Sequence, residues 1–271
     1  DGHGLGAWKA SEGAGPAAWK LRDDYFEVAP GAGGIQTKEA FGDIQLHVEW
    51  ASPNPPVGKG QDRGNSGIFL MGQFEVQVLD SYKTDTYTDG QAGALYGQYP
   101  PLFNASRAPG EWQTYDIAFR RPRFDKAGKL VTPARVSVIH NGILIQNNEE
   151  LLGGTNWLRW VPYENQGDAG PISLQDHGHT VRFRNIWLRK LPERVEPTPE
   201  ALARPARIAM TDEQLDRFVG DYSQGRPNEV PFRISRIPGG LQVKFPFRPH
   251  PVTMEPIADD VFDMPFTDGR W

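Results

Sequence analysis

One short segment constrains the fold of this chain more than any other feature. Phe74, Val76 and Val78 are apolar, and the polar residues Glu75 and Gln77 lie between them. Successive side chains of a β-strand point to opposite faces, so the apolar residues share one face and the polar pair shares the other. This alternation fits either an exposed strand of an antiparallel sheet or the floor of a binding groove.

The same alternation recurs along the first two-thirds of the chain and predicts a β-rich protein. In residues 43–50 four apolar side chains alternate with Gln45, His47 and Glu49. Asn141-Gly142 separates two apolar runs and predicts a hairpin with a type I′ turn, with the neighbouring His140 at its rim. Further strands are expected at residues 68–70, 112–119, 135–140, 143–145, 172–175 and 181–188.

Composition excludes several classes of protein. Hydrophobic residues make up 38% and charged residues 23% of the 271 residues, which is typical of a soluble globular chain. Asp and Glu outnumber Lys and Arg by 34 to 29, and this argues against a nucleic-acid partner. The chain has no apolar stretch of about 18 residues, the length that a membrane span needs. Without cysteine it has no disulfide, thiol nucleophile or cysteine-based metal site.

The distribution of prolines predicts the domain organisation. Four prolines interrupt a polar stretch after residue 190, which is typical of a linker. Thr211 followed by Gln214 has the spacing of a capping box at the start of a short helix. We therefore expect three segments: a main β domain (residues 1–190), a linker (191–210) and a small β-rich module (211–271).

Two further regions carry candidate binding residues. Residues 81–111 contain Tyr96 and three other tyrosines but no clear element, and a loop of this length often forms the wall or lid of a site. Its tyrosines are either sugar-stacking platforms or packing contacts. Farther along the chain, Gln175 is expected on the polar face of a strand, and the following turn carries His177.

Several motifs occur in an order that resembles the 3-keto-disaccharide hydrolase domain family over residues 1–190. These are Asp1-Gly2 with Trp8, and residues 65–70, 75–80, 93–96, 110–112, 170–178 and 183–186. The resemblance implies an all-β fold, a concanavalin A-like jelly-roll β-sandwich of two antiparallel sheets whose polar faces line a concave groove. It also implies an enzyme from a bacterium, acting on a disaccharide or glycoside whose glucose ring is oxidised to a ketone at carbon 3. The chain opens with polar residues rather than a signal sequence, and we expect an exported, periplasmic or cell-surface protein whose targeting segment was removed.

This resemblance assigns roles to the polar residues. Retaining glucanases of the same fold carry two carboxylates at alternate positions of one strand, whereas here Gln77 follows Glu75. A 3-keto sugar needs one base, because the ketone acidifies the hydrogen on carbon 2 and the glycosidic oxygen then leaves by elimination. We expect Glu75 and His177 as the catalytic pair, with Arg63 or a bound cation at the enolate. The predicted substrate-binding residues are Glu49, Arg63, Asn65, Gln77, Asp80, Tyr96 and Gln175.

A divalent cation such as Ca²⁺ is a candidate cofactor, because Glu49, Glu75, Asp80 and Asp176 supply oxygen ligands and His177 a nitrogen. Two alternative functions stay open on the sequence. A lectin-like carbohydrate-binding module would use the same groove without catalysis. A conventional β-glucanase would draw its second carboxylate from Glu49 or Asp80.

Overall fold

Antiparallel strands form nearly all the regular structure of this computed structural model, which describes residues 4–13, 15–193, 206–223, 225 and 230–264. The chain forms two compact units, Asp1–Arg194 and Val195–Trp271. Residues 194–205, most of the predicted linker, lie outside the described residues. In the described part of the chain, no helix is both long and apolar enough to cross a membrane.

The strands of the first unit are numbered in chain order. They are β1 (Trp8–Ala10), β2 (Lys20–Leu21), β3 (Phe26–Glu27), β4 (Ile35–Thr37), β5 (Ile44–Ala51), β6 (Ser66–Leu70), β7 (Phe74–Val78), β8 (Gln113–Arg120), β9 (Arg123–Phe124), β10 (Leu130–Thr132), β11 (Arg135–His140), β12 (Ile143–Glu150), β13 (Ser173–Leu174) and β14 (Arg182–Lys190). Two 3₁₀ turns lie in the loops, Gly60–Asp62 and Thr88–Gly90.

Two antiparallel sheets pack face to face and enclose the core. One has the order β1-β4-β13-β6-β7, and the other has the order β12-β11-β8-β5-β14-β3-β2; β9 and β10 form a separate ribbon. The apolar residues of β7 and β5 are fully buried between the sheets, as their alternation predicts. The rings of Phe74 and Phe119 meet across the core at 5.8 Å, and each such buried side chain contributes about 1.5–3 kcal/mol. The predicted all-β sandwich of antiparallel sheets is thus confirmed.

Two tight hairpins fix the register of β6 against β7 and of β11 against β12. Met71 and Gly72 join β6 to β7 with φ of 52° and 70°, and Gln73 N donates to Leu70 O at 3.1 Å. Asn141 and Gly142 join β11 to β12 with φ of 51° and 82°, the conformation that a type I′ turn requires.

His140, beside the second turn, is not at the rim as the sequence suggested. It is fully buried, and its Nε2 lies 2.9 Å from Gln113 Oε1. Burial lowers the pKa of His140 to about 3, so the ring is neutral and part of the core. The rim prediction is wrong because the turn folds back onto the 104–113 loop, where Asn141 Nδ2 donates to Ala105 O at 2.8 Å.

The second unit is a small sheet with one short helix. The helix α1 (Asp212–Asp216) begins with the predicted capping box, in which Gln214 N donates to Thr211 Oγ1 and Thr211 N to Gln214 Oε1. Its sheet has the order β15 (Gly220–Tyr222), β16 (Phe232–Ile237), β17 (Gly240–Lys244), β18 (Val252–Ala258) and β19 (Val261–Asp263). Leu215, Leu241 and Val243 form the centre of its core.

Candidate functional site

Glu75 lies at the outer edge of the five-stranded sheet, on the face that points away from the core. β7 is the last strand of that sheet, and Glu75 pairs with Phe69 of β6. The carboxyl group leans over Gly67, so closely that a Cβ added to Gly67 would lie 2.2 Å from Glu75 Oε1. Glu75 is only 5% exposed and its neighbour Gln77 only 1%. The polar face of β7 is therefore covered, and it is not an open solvated surface.

The environment of Glu75 controls its protonation. Burial raises the pKa of Glu75 to about 8, and no hydrogen bond from a described residue offsets that effect. At pH 7 about one-tenth of such a group is ionised. A carboxyl with so strong a shift is a frequent feature of catalytic sites, because it can exchange a proton near neutral pH.

A network of amides lies beside the carboxyl and is centred on Gln61, in the turn Gly60–Asp62. Gln61 Oε1 accepts from Gln77 Nε2 at 3.0 Å, and Gln61 O accepts from Asn65 Nδ2 at 2.8 Å. Its own Nε2 donates to Thr86 Oγ1 and Gly90 O, both at 2.8 Å. Gln61 therefore ties the β6–β7 hairpin to the 81–111 loop.

Two amide oxygens of this face are buried without a partner in the described part of the chain: Asn65 Oδ1 and Gln175 Oε1. Gln175 lies next to Gly67, because its backbone N donates to Gly67 O at 3.0 Å. Both amides are thus placed around the carboxyl of Glu75. Buried polar atoms normally have a partner, so these two are candidate acceptors for substrate hydroxyl groups.

Tyr96 and Tyr87 form the wall of the site on the edge side of β7. Tyr96 N donates to Glu75 O at 3.2 Å, and the two phenol oxygens are 2.5 Å apart. Burial is the main cause that raises the pKa of both phenols, and the charge of Glu75 raises them further. The hydroxyl pair is therefore near enough to the carboxyl to sense its charge.

Two imidazoles lie where β13 ends. His177 is in an exposed turn, and its ring stacks on that of His179 with centroids 5.9 Å apart. His179 Nε2 is 3.3 Å from Asp62 Oδ1, and Asp62 is the neighbour of Gln61. Asp176 accepts hydrogen bonds from two backbone amides and so holds the turn. The turn that carries His177 and His179 therefore contacts the amide network at residues 60–62, through His179 and Asp62.

Arg63 and Asp80 form a separate, internally satisfied pair. Arg63 Nε donates to Asp80 Oδ2 at 2.7 Å, and Asp80 also accepts from Tyr82 N. Asp80 is almost completely buried. Because the two charges already compensate each other, this pair has a clear structural use at the end of the hairpin.

Glu49 lies on the other layer. It projects from β5 in the seven-stranded sheet, where Arg184 Nε and Asn185 Nδ2 donate to its carboxylate at 2.7 and 2.8 Å. Of the residues predicted from sequence, the structure therefore groups Glu75, Gln77, Asn65, Tyr96, Gln175 and His177 around one sheet, and separates Glu49 from them.

Sequence reasoning missed Gln61, Tyr87 and His179. Tyr87 and His179 lie in or next to segments that the sequence had marked as informative. The side chain that each segment places at the site depends on its turns, which the sequence pattern does not predict. Gln61 lies in a loop of prolines and glycines, where no periodicity assigns a direction to a side chain. The length of that loop was its one signal.

The predicted ligands of a divalent cation are dispersed. Among the described residues no group of three or more His, Asp or Glu side chains is arranged to hold a metal ion. Glu49 lies on the other sheet, and Asp80 and Asp176 have partners of their own. A cavity of about 450 Å³ lies elsewhere in the unit, between Trp8, Phe26, Phe41 and Trp187. It is not lined by any residue of the Glu75 site.

The fold and this polar face define a β-sandwich protein in which the carboxyl of Glu75 is buried on an outer sheet face. Residues 1–189 match the model of the 3-keto-alpha-glucoside-1,2-lyase-like domain, and the chain belongs to that family. The match covers the sandwich that carries Glu75 to within one residue of the end of β14, which supports a carbohydrate-active role.

Solved structures show the same fold. A candidate glycosyl hydrolase from Parabacteroides distasonis is 47% identical, with a TM-score of 0.68 over 70% of this chain and 81% of that chain. A second candidate glycosyl hydrolase from the same organism is 20% identical, with a TM-score of 0.51 over 70% and 91% of the two chains, and shows the fold alone. No curated protein matches this chain.

Proposed function

We propose that this chain is an enzyme that cleaves the glycosidic bond of 3-keto-glucosides by elimination followed by hydration, with Glu75 as the base. The observation that carries the proposal is the buried carboxyl of Glu75, which leans over Gly67 and whose pKa burial raises to about 8. The family to which the chain belongs and the glycosyl hydrolase assignment of its 47% identical neighbour support a sugar substrate.

The reaction needs one strong base. Glu75 removes the proton from carbon 2, whose C–H bond is acidified by the ketone at carbon 3. The electron pair forms the enolate and then expels the glycosidic oxygen from carbon 1, which takes up a proton as it leaves. Water adds to carbon 1 and a proton returns to carbon 2, giving a free 3-keto sugar and an alcohol. A carboxylate with a raised pKa is a stronger base than an ordinary one, so it suits this step.

The remaining groups bind the sugar and stabilise charge. Asn65 and Gln175 supply amide oxygens that accept from sugar hydroxyl groups, and the Tyr87–Tyr96 hydroxyl pair is a donor for the developing enolate oxygen. His177, in the turn that follows β13, is the candidate acid for the leaving oxygen. Arg63, the sequence-based candidate for the enolate, is already paired with Asp80.

The two alternatives differ in what they need. A conventional retaining glucanase needs a second carboxylate about 5 Å from the first, but Glu49 is on the other sheet and Asp80 is bound to Arg63. A lectin-like module needs the hydroxyl-binding amides and has no use for a carboxyl with a raised pKa. The geometry therefore favours catalysis by one base.

The pH dependence of turnover tests the proposal. With a 3-keto-glucoside as substrate, kcat/KM should rise about tenfold per pH unit below the pKa of about 8 and then level off. A rate that falls over the same range would assign Glu75 as the acid. Binding of the sugar without any turnover would favour the lectin-like alternative.

A further inference from the structure

A loop next to the site exposes three large apolar side chains. We call residues 155–161 the tryptophan loop. Trp157 is 60% exposed, Leu158 79% and Trp160 53%. Contiguous apolar exposure of this kind usually marks an interaction surface. Among the described residues no aromatic ring pairs with either indole, and more than half of each side chain is exposed.

The base of this loop is fixed although its tip is exposed. Val161 N donates to Gly154 O at 3.1 Å, which closes the loop. The two ends cross so closely that a Cβ on Gly153 would lie 1.9 Å from Val161 O. The amide of Gln98 donates to Gly153 O at 3.0 Å and accepts from Leu152 N at 2.8 Å. The indoles are therefore presented on an anchored support.

The loop is attached to the strand that carries Glu75. Thr155 Oγ1 accepts from Glu75 N at 2.8 Å and donates to Gln73 O at 3.0 Å. Trp157 is two residues farther on, so its Cα is within about 7 Å of that of Thr155. On the other side, Asn156 packs against Gly97, where a Cβ would lie 2.3 Å from Asn156 O. The tryptophan loop thus follows Tyr96 along the same edge of the sheet.

The direction of the Glu75 side chain divides the site into two ends. Its carboxyl leans toward Gly67, which pairs with Gln77, and the amides lie at that end. The tryptophan loop lies at the opposite end, beside Gln73. A sugar whose carbon 2 is over the carboxyl would therefore have hydrogen-bonding amides on one side and indole faces on the other.

We propose that the tryptophan loop forms the leaving-group subsite, in which Trp157 and Trp160 stack on a flat ring attached through the glycosidic oxygen. This inference rests on the function proposed above. An indole face packs well on the C–H face of a pyranose and equally well on an aromatic ring. The preferred substrates are accordingly 3-keto-glucosides whose leaving group contains a six-membered ring, and not those of small alcohols.

The test compares substrates that differ in the leaving group alone. Wild type, Trp157→Ala, Trp160→Ala and the double variant are assayed on methyl 3-keto-glucoside, phenyl 3-keto-glucoside and a 3-keto-disaccharide. Loss of indole stacking should lower kcat/KM about tenfold in the double variant for the ring-bearing substrates. The value for the methyl glucoside should stay within about twofold of wild type. A loss on the disaccharide alone or on the phenyl glucoside alone identifies which ring the subsite takes.

Trp187→Ala is the matched control, because Trp187 is 46% exposed but lies on the seven-stranded sheet. This variant should have the same kcat/KM as wild type on all three substrates. An equal loss on the methyl glucoside, or no loss on any substrate, overturns the subsite. A fall in thermal stability of the double variant without a change in selectivity also overturns it, since the indoles would then serve packing.

Failure of the subsite can be separated from failure of the proposed function. If wild type turns over none of the three substrates, the proposed function fails. Calorimetry then tests the subsite without catalysis, by measuring the binding of phenyl 3-keto-glucoside and of methyl 3-keto-glucoside. Weaker binding of the phenyl compound to the double variant, with the methyl compound unchanged, supports the subsite; equal binding of both compounds to both proteins ends it.

Discussion

The outer faces of the two sheets each carry a glutamate in the same sequence pattern, but the two carboxyl groups have opposite properties. Burial raises the pKa of Glu49, yet the hydrogen bonds from Asn185 and Arg184 outweigh it and lower the pKa overall. Burial raises the pKa of Glu75 to about 8, and no described donor counteracts it. Partners, rather than the strand pattern, therefore decide which glutamate is charged.

The contrast also separates a structural role from a chemical one. Around Glu49 the neighbouring groups are mutually satisfied: Arg184 also contacts Asp24, and His47 Nδ1 lies 2.7 Å from Asp116. Around Glu75 the amide oxygens of Asn65 and Gln175 have no described partner. A face with unsatisfied groups has capacity left for a ligand, whereas a satisfied face stabilises the fold.

The largest expected effect is on turnover. Glu75→Gln should lower kcat/KM on a 3-keto-glucoside about 10²–10⁴-fold, because the base is removed while the shape of the side chain is kept. Glu49→Gln is the matched control and should leave turnover within about twofold of wild type. Steady-state kinetics of both variants on the same 3-keto-glucoside measure this difference in kcat/KM. Equal losses would mean that the two faces do not differ in function.

The second prediction concerns the pH dependence of stability. Glu75 has a pKa raised from 4.5 to about 8, so the folded state binds its proton more tightly than the unfolded state. Its contribution to stability is fully present below about pH 4.5 and is lost as the pH rises through about 8, on the order of 5 kcal/mol in total. Denaturant unfolding at pH 5 and pH 8.5 should show that loss in wild type and not in Glu75→Gln.

Glu49 should show the opposite sign when the same unfolding measurement is extended to below pH 4.5. Its pKa is lowered in the folded state, so its contribution is present above its unfolded pKa and is lost on acidification. Glu49→Gln should therefore reduce the acid-induced loss of stability and leave the alkaline one unchanged. If both variants respond alike, the two carboxyl groups do not differ in protonation.

The sequence predicted the sandwich well, and for a physical reason. Alternation in β5 and β7 places side chains on a face regardless of tertiary contacts, so the core could be read from the pattern. The same pattern could not distinguish Glu49 from Glu75, because the partners of Glu49 come from residues 184 and 185, more than 130 positions away. Gly67 was part of a recognised motif, but its use as the support for a carboxyl required the register of β6 against β7.

The third prediction uses that glycine. Gly67→Ala would place a Cβ 2.2 Å from Glu75 Oε1, and the flexible carboxyl would have to move. We expect kcat/KM to fall about tenfold or more, since a small misplacement of a catalytic group is costly. Stability should fall only modestly, because the nearest atoms belong to the far end of the Glu75 side chain and the added Cβ would lie 3.0 Å from Phe69 Cε2. Gly6→Ala, where a Cβ meets nothing within 4 Å, is the control. Full activity in Gly67→Ala would show that the carboxyl position is not critical.

The smallest expected effect concerns one hydrogen-bonding side chain near each glutamate, Tyr87 beside Glu75 and Asn185 beside Glu49. Tyr87→Phe removes one partner of the hydroxyl pair with Tyr96, and a single neutral hydrogen bond is worth about 0.5–1.5 kcal/mol, so kcat/KM should fall about two- to tenfold. Asn185→Gly is the counterpart on the other face. It removes the donor at 2.8 Å from Glu49 and tolerates the positive φ of 46° at that position. That variant should lower stability and leave kcat/KM unchanged. If Tyr87→Phe lowers stability alone and Asn185→Gly lowers turnover, the assignment of chemical and structural faces would be reversed.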